Sequence, residues 1–143
     1  MAKFSFGEHL TQAEHIISAK LGATGAKMVD ADVGFPVKLA ADSQFDKCAT
    51  GDNIEGFVNS ISGFTVENHS FGGVQVGGFK AVTAYGAIAI GDYVVAETAG
   101  RVKKAPTMTA DAMTHPKYLW RYVSGAVGVG ATTEYKGVVM RVA

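Results

Sequence analysis

The residues able to carry chemistry are few, and the best placed of them lie in one polar stretch. Asp111 and His115 stand one helical turn apart, close to the hydroxyls of Thr107, Thr109 and Thr114. A carboxylate, an imidazole and a hydroxyl are the groups of a hydrolytic triad, in which histidine takes the proton of the nucleophile. No nucleophile elbow or oxyanion-hole pattern accompanies them. We therefore interpret the stretch as a solvated contact segment and predict that the protein is not an enzyme.

Metal and phosphate sites are not predicted either. The four histidines are scattered along the chain, and His9 and His15 are spaced so that a helix would place them on different faces. The glycine-rich run from Gly125 lacks the lysine that a phosphate-binding loop places before its serine or threonine. Cys48 has no second cysteine to pair with and is expected to be a small buried hydrophobe. No cofactor is predicted.

Composition limits the remaining classes of function. The chain has 143 residues, enough for one domain that buries about two thirds of its unfolded surface. Its 13 basic and 13 acidic residues cancel, so no strong field attracts a polyanion, and nucleic acid is not expected as a direct partner. No secretion signal and no apolar run near the ~18 residues of a membrane span are present. We expect a product of the cytoplasm that stays soluble or joins an assembly.

Residues 1–27 are predicted to form an N-terminal arm. Thr11 and Glu14 have the spacing of a capping box, and the apolar residues that follow predict a short helix from Gln12 to Leu21. The apolar side chains of the arm require a partner surface, and two alternatives stay open: they pack on their own domain, or they reach a neighbouring subunit. These side chains are Phe4, Phe6, Ile16, Ile17 and Leu21.

Residues 28–143 are predicted to form one β-rich domain of short strands separated by turns. The 18 glycines exceed the usual share of about 7%, which indicates many tight turns or close backbone contacts. The stretch from Ala87 to Lys104 has the densest β pattern and predicts a hairpin, with Ile88 and Ile90 on one strand face. Residues 42–52 are predicted to be mostly loop. Further predicted strands are Pro36–Ala40, with Val37 and Leu39 inward, Ile54–Ile61, Phe64–Asn68, Gly72–Gly78, Phe79–Tyr85, Tyr118–Val123 and Thr132–Val142.

Three large rings, Tyr118, Trp120 and Tyr122, share one face of a predicted strand. The favoured interpretation makes them a wall of the protein's own core, because Leu119 and Val123 alone would provide a thin core face. The alternative is an exposed aromatic face that binds a glycan or a host receptor.

Several segments together resemble the small head decoration, or cement, proteins of tailed bacteriophages. The resemblance covers about residues 33–142, and its motifs combine glycines with β-branched residues without a catalytic signature. The segments that carry it are Ile54-Glu55-Gly56-Phe57-Val58, Phe71-Gly72-Gly73-Val74-Gln75-Val76-Gly77-Gly78, Gly91-Asp92-Tyr93-Val94-Val95-Ala96, Gly100-Arg101-Val102-Lys103-Lys104 and Tyr118-Leu119-Trp120-Arg121-Tyr122-Val123-Ser124.

The resemblance implies a compact antiparallel β-barrel or β-tulip-like sandwich that binds the outer surface of an assembled capsid, often as a trimer. Such a virion protein stabilises contacts between capsid subunits, so the implied partners are the major capsid protein and further copies of the chain. Its expected place is the outer surface of the capsid, after synthesis in the host cytoplasm. We expect capsid or subunit contacts from the apolar arm residues and from Met108, Met113 and His115 in the long 105–116 segment.

Overall fold

A computed structural model describes residues 15–23, 26–41, 44–66, 69–107, 118–125, 127, 130 and 133–142. These residues are mainly β, as predicted, with 3₁₀ turns at Asp30–Asp32 and Thr98–Gly100. The strands are β1 (His15–Ala23), β2 (Ala26–Lys27), β3 (Pro36–Ala41), β4 (Gln44–Lys47), β5 (Gly56–Val66), β6 (His69–Gly77), β7 (Phe79–Tyr85), β8 (Val94–Ala96), β9 (Val102–Lys104), β10 (Trp120–Gly125) and β11 (Glu134–Arg141).

The first unit of the fold is a closed barrel of five strands. Its strands follow the order β1, β4, β3, β5, β6, and β6 pairs back onto β1, while β2 is appended to β1. All ring pairs are antiparallel except β1 with β4. Closure leaves the apolar side chains of alternate positions inside the ring. This interior consists of Ala19, Leu21, Met28, Val37, Phe45, Val58 and Val74.

The second unit is a sheet in the order β10, β11, β7, β9, β8 that curls until its edges meet. Tyr93, just before β8, forms a bridge with Arg121 of β10. The Tyr122 N–H donates to the Asp92 carbonyl at 2.8 Å, and the Gly91 N–H donates to the Tyr122 carbonyl at 2.7 Å. The enclosed core is Ile54, Phe57, Val82, Ala84, Ile88, Val94, Ala96, Val102, Trp120, Tyr122 and Val139.

Side chains and backbone bonds connect the two units. Phe57 of β5 packs edge-on against Trp120, with ring centroids 4.9 Å apart, while the next residue, Val58, points into the barrel. The Arg141 Nη1 of β11 donates to the carbonyls of Glu55 at 2.9 Å and Val76 at 3.1 Å. The two units are therefore connected by β5, which contributes side chains to both cores, and by the hydrogen bonds of Arg141.

The predicted helix in the N-terminal arm is wrong over the part that the structure describes. Residues 15–21 belong to β1, where they pair with Gly77 through Ser70 of β6. Ala19 and Leu21 then fill the barrel interior, and this pairing and burial override local helix propensity. The capping-box residues Thr11 and Glu14 lie outside the described residues. The chain from His15 onward is thus part of the barrel and not of an arm.

Most other strand predictions are confirmed, and the exceptions have physical reasons. β7 and the β8–β9 hairpin occur where the pattern placed them. Ile90 is 51% exposed in a turn, so it does not share a strand face with the buried Ile88. Leu39 was expected to point inward and is 56% exposed. β4 lies within the segment that was predicted to be a loop. Its sequence, Gln-Phe-Asp-Lys, has a single apolar residue, Phe45, so the pattern of a strand was not visible, yet Phe45 is buried in the core.

Candidate functional site

Most of the residues with triad chemistry belong to a segment that the structure does not describe. Asp111, Thr109, Thr114 and His115 lie outside the described residues. Across the ranges that are described, no group of three or more His, Cys, Asp or Glu side chains could hold a metal ion. Among the described residues, the features that could contribute to a site are a thiol, several ion pairs and surface grooves.

The thiol of Cys48 is protected by its surroundings. Its side chain packs against the core of the second unit, and Sγ lies 3.8 Å from the Asn53 carbonyl. Burial and the nearby Asp52 carboxylate raise the pKa of Cys48 to about 12. Because the thiolate is the reactive form, a thiol with this pKa is inert near neutral pH. Cys48 packs against the core as a small hydrophobe, as predicted, but it is only partly buried.

Charged side chains connect elements of the fold. Lys38 Nζ on β3 contacts Asp52 Oδ2 at 2.6 Å, and this hydrogen bond lowers the pKa of Asp52, assisted by the Ala49 N–H. The pKa of Glu97 is lowered chiefly by the Thr98 N–H at 2.8 Å. The geometry of these groups indicates a role in holding turns in place.

Two grooves flank the Phe35 ring at the joint between the units, with volumes of about 290 and 260 Å³. In the first, Lys136 Nζ donates to Thr83 Oγ1 at 3.0 Å. In the second, Thr50 Oγ1 donates to Glu97 Oε1 at 3.0 Å. These polar groups already bind one another, so the grooves offer a ligand little unsatisfied hydrogen bonding.

The aromatic strand face lies in the interior. Tyr118 is 5% exposed, and Trp120 and Tyr122 are fully buried, which confirms the interpretation of these rings as core. Trp120 Nε1 has no hydrogen-bond partner within the described structure, which is unusual because a buried indole N–H generally finds one. A glycan or receptor therefore finds no surface made of these three rings.

A third groove, with a volume of about 460 Å³, lies on the barrel where β1, β6 and β5 run side by side. Ile16 is 41% exposed and Phe71 is 38% exposed on this surface. None of the described side chains lining the groove is charged. We call this surface the ribbon face; its residues are Ile16, Ser18, Ser60, Ile61, Ser62, Phe71, Gly72 and Gly73.

Gly73 lies at the centre of the ribbon face, where neighbouring side chains leave little room. A β-carbon at Gly73 would lie 3.0 Å from Ile16 Cγ2 and 3.1 Å from Ser60 Oγ. Cross-strand pairing places Ser18 of β1 and Ser60 of β5 on either side of this glycine. The groove thus has a backbone floor between an isoleucine and serine hydroxyls.

The predicted contact residues have different locations in the structure. Ile16 and Ile17 are 41% and 36% exposed, whereas Leu21 is fully buried in its own barrel and is not available to a neighbour. Sequence reasoning missed Phe71 and Gly73 as surface features, although the Phe-Gly-Gly run was visible. The remaining predicted contact residues lie outside the described residues: Phe4, Phe6, Met108, Met113 and His115.

Comparison with known proteins gives no relative for this chain. No protein-family model, no curated protein and no solved structure matches it. Among the described residues, no helix is both long enough and apolar enough to cross a membrane.

Proposed function

We propose that this protein is a structural component of a phage virion that binds the outer surface of the capsid and stabilises contacts between capsid subunits. Its partners in this role are the major capsid protein and further copies of the chain, with a trimer favoured. The resemblance of residues 33–142 to head decoration proteins supports the proposal. The structural observation that carries it is the ribbon face, an uncharged groove with the apolar side chains of Ile16 and Phe71 exposed.

The groove combines exposed isoleucine and phenylalanine side chains with serine hydroxyls, a mixed and uncharged lining that suits a protein partner better than a charged small molecule or a nucleic acid. The ribbon face has no charged lining to orient a phosphate or a polar metabolite. The formal net charge of the chain is zero at neutral pH, so long-range attraction to a charged surface is weak. Association through such a surface relies on burial of apolar area.

The closed architecture suits a protein that works in many copies. Exposed strand edges are templates for pairing with other chains, and ring closure removes them. Here the barrel closes through β1 and β6, and the second sheet closes through the Tyr93–Arg121 bridge. Within the described residues, closure leaves side-chain surfaces as the main places for contact with partners.

Stabilisation of a capsid by this protein follows from binding linkage. A ligand that binds the assembled shell and not its alternatives shifts the equilibrium by about 2.7 kcal/mol per site at a hundredfold excess over Kd. When many sites on one shell are occupied, the total free energy of stabilisation is the sum of these contributions. The effect requires only binding and no chemical reaction.

The direct test is the copy number of this chain in purified virions, measured by quantitative mass spectrometry. We expect hundreds of copies per particle. A few copies per particle would indicate a tail or receptor-binding component, and absence from the particle would refute the proposal.

A truncation tests the contribution of the N-terminal residues to capsid binding. Residues 15–23 form β1 of the barrel, so a deletion that leaves the fold intact must stop at residue 14. We expect a chain lacking residues 2–14 to keep the buried emission of Trp120 and to show reduced occupancy on undecorated heads. Leu39→Ser, which changes an exposed side chain of β3, is the matched control and should bind normally. Full occupancy by the truncated chain would exclude these residues from the contact.

A further inference from the structure

Two turns of this chain share one four-residue pattern, Ala-x-Gly-Asp. The first clip is residues 49–52, Ala-Thr-Gly-Asp, in the connection from β4 to β5, and the second clip is residues 89–92, Ala-Ile-Gly-Asp, before β8. We infer that the two clips are one conformational device used twice, which caps the two edge strands of the second sheet and keeps them from pairing with other chains. The device belongs to the free chain and does not depend on a capsid.

The first clip folds back on itself and then holds one residue of β8. The Asp52 N–H donates to the Ala49 carbonyl at 3.0 Å, and the Ala49 N–H donates to Asp52 Oδ2 at 2.8 Å. Gly51 has a φ of +89°, a left-handed conformation that glycine adopts without steric cost. The Gly51 N–H donates to the carbonyl of Ala96, the last residue of β8, at 2.9 Å. The Ala96 N–H donates in return to the Asp52 carbonyl at 3.0 Å.

The second clip repeats these contacts on a different strand. The Asp92 N–H donates to the Ala89 carbonyl at 3.1 Å, the Ala89 N–H donates to Asp92 Oδ2 at 2.8 Å, and Gly91 has a φ of +95°. The residue held here is Tyr122 of β10, through the two backbone hydrogen bonds to Gly91 and Asp92 described above. The variable position is threonine in one clip and isoleucine in the other, so the shared geometry follows from the glycine and the aspartate.

The two strands held by the clips are the two edges of the second sheet. The order of that sheet begins with β10 and ends with β8. An edge strand presents unpaired N–H and C=O groups, which are a template for pairing with another chain. The first clip occupies both backbone groups of Ala96 on β8, and the second occupies both backbone groups of Tyr122 on β10. Each edge is therefore covered by a loop of the same design.

Gly34 provides a matched control for the first clip. Gly34 and Gly51 have φ values of +92° and +89°. Among the described residues outside their own chain neighbours, no heavy atom lies within 4 Å of a β-carbon placed at either position. Alanine therefore introduces the same kind of backbone strain at both positions without a steric conflict. Only Gly51→Ala acts on a clip, because the Gly34 N–H donates to the Val58 carbonyl of β5.

Amide hydrogen exchange, measured by NMR on the full chain, tests the first clip. Gly51→Ala should accelerate exchange of the Ala96 N–H at least about tenfold relative to Gly34→Ala, because strain at the clip releases the strand residue that it holds. Exchange of the Tyr122 N–H should be the same in the two variants, since the second clip is intact in both.

The second clip is tested through its aspartate, since alanine at Gly91 would also meet Arg121 Nη2 at 3.3 Å. Asp92→Ala removes the acceptor of the Ala89 N–H, whereas Asp92→Asn keeps a side-chain oxygen that can accept it. We expect Asp92→Ala to accelerate exchange of the Tyr122 N–H and Asp92→Asn to restore most of the protection. This pair keeps the test decisive if Gly51→Ala does not fold.

Sedimentation velocity tests whether the clips prevent edge pairing. Gly51→Ala and Asp92→Ala should form large species at concentrations where Gly34→Ala sediments like the wild type, because released edge strands pair with other chains. The Asp92→Asn variant should sediment like the wild type.

Unchanged exchange of the Ala96 N–H in Gly51→Ala would overturn the inference, as would equal acceleration of both amides in Gly51→Ala and Gly34→Ala. If Asp92→Asn lost as much protection as Asp92→Ala, the aspartate oxygen would not be what holds the second clip. Clip variants that lose protection at the strand edge but sediment like Gly34→Ala would refute the edge-capping role.

Discussion

Gly137→Ala should be among the most damaging single-methyl changes in this protein. Gly137 lies on β11 against the ring of Tyr122, which is fully buried in the second core. A β-carbon at residue 137 would lie 2.2 Å from Tyr122 Oη, 2.3 Å from Cε1 and 2.4 Å from Cζ. Protein β-carbons essentially never approach other heavy atoms within 3.0 Å. The ring or the β10–β11 pair must therefore move.

The size of the effect follows from the cost of overpacking. Extra methyl groups in a packed core typically cost 1–3 kcal/mol. The new methyl group would overlap three atoms of the fully buried Tyr122 side chain. We therefore expect the loss of stability in Gly137→Ala to lie near the upper end of this range, at about 3 kcal/mol. For a domain of this size, each kcal/mol lowers Tm by about 2–4 °C, so the melting temperature should fall by roughly 6–12 °C.

Urea unfolding followed by tryptophan fluorescence measures this loss. Trp120 is the single tryptophan and is fully buried, so its emission shifts when the second core opens. Gly73→Ala is the matched control, because its new methyl group would meet side chains on the surface, with Ile16 Cγ2 at 3.0 Å, Ser60 Oγ at 3.1 Å and Asn59 Cβ at 3.8 Å. We expect the control to lose less than about 1 kcal/mol. Equal losses for the two variants would refute the argument from ring contact.

Three further predictions concern charge and reactivity. Arg141→Met removes guanidinium hydrogen bonds between the units and should lower the free energy of unfolding by about 1.5–3 kcal/mol in the same urea assay; a loss below about 0.5 kcal/mol would contradict this role. The pKa values of Asp52 and Glu97 lie below their usual 3.8 and 4.5, so their stabilisation is present above those values and is lost as the pH falls through the lower folded pKa values. Combining Asp52→Asn with Glu97→Gln should therefore flatten the acid limb of a plot of stability against pH, and an unchanged limb would contradict the assignment. Cys48, with a pKa of about 12, should react with iodoacetamide near pH 8 at least about a hundredfold more slowly in the folded than in the urea-unfolded protein, and equal rates would show that the thiol is not protected.

Local patterns were sufficient to predict much of the β structure. Alternation of apolar residues and the glycines around them identified β7 from Phe79 to Tyr85 and the β8–β9 hairpin. These elements are local, because their turns and side-chain periods are encoded within a few residues. The burial of Trp120 and Tyr122 was also predictable, since such large rings on one strand face require a core.

The sequence determined that this chain is a β-rich protein with an aromatic core and an unpaired cysteine, because composition and period-two alternation are properties of the chain itself. Only the tertiary structure decided that residues 15–21 form a strand, since their local pattern suited a helix and β6 supplies the hydrogen bonds of β1. It also decided that Leu21 fills the barrel while Ile16 and Phe71 flank an open groove. That surface combines side chains separated by more than fifty residues, and a spacing rule detects only neighbours within one element.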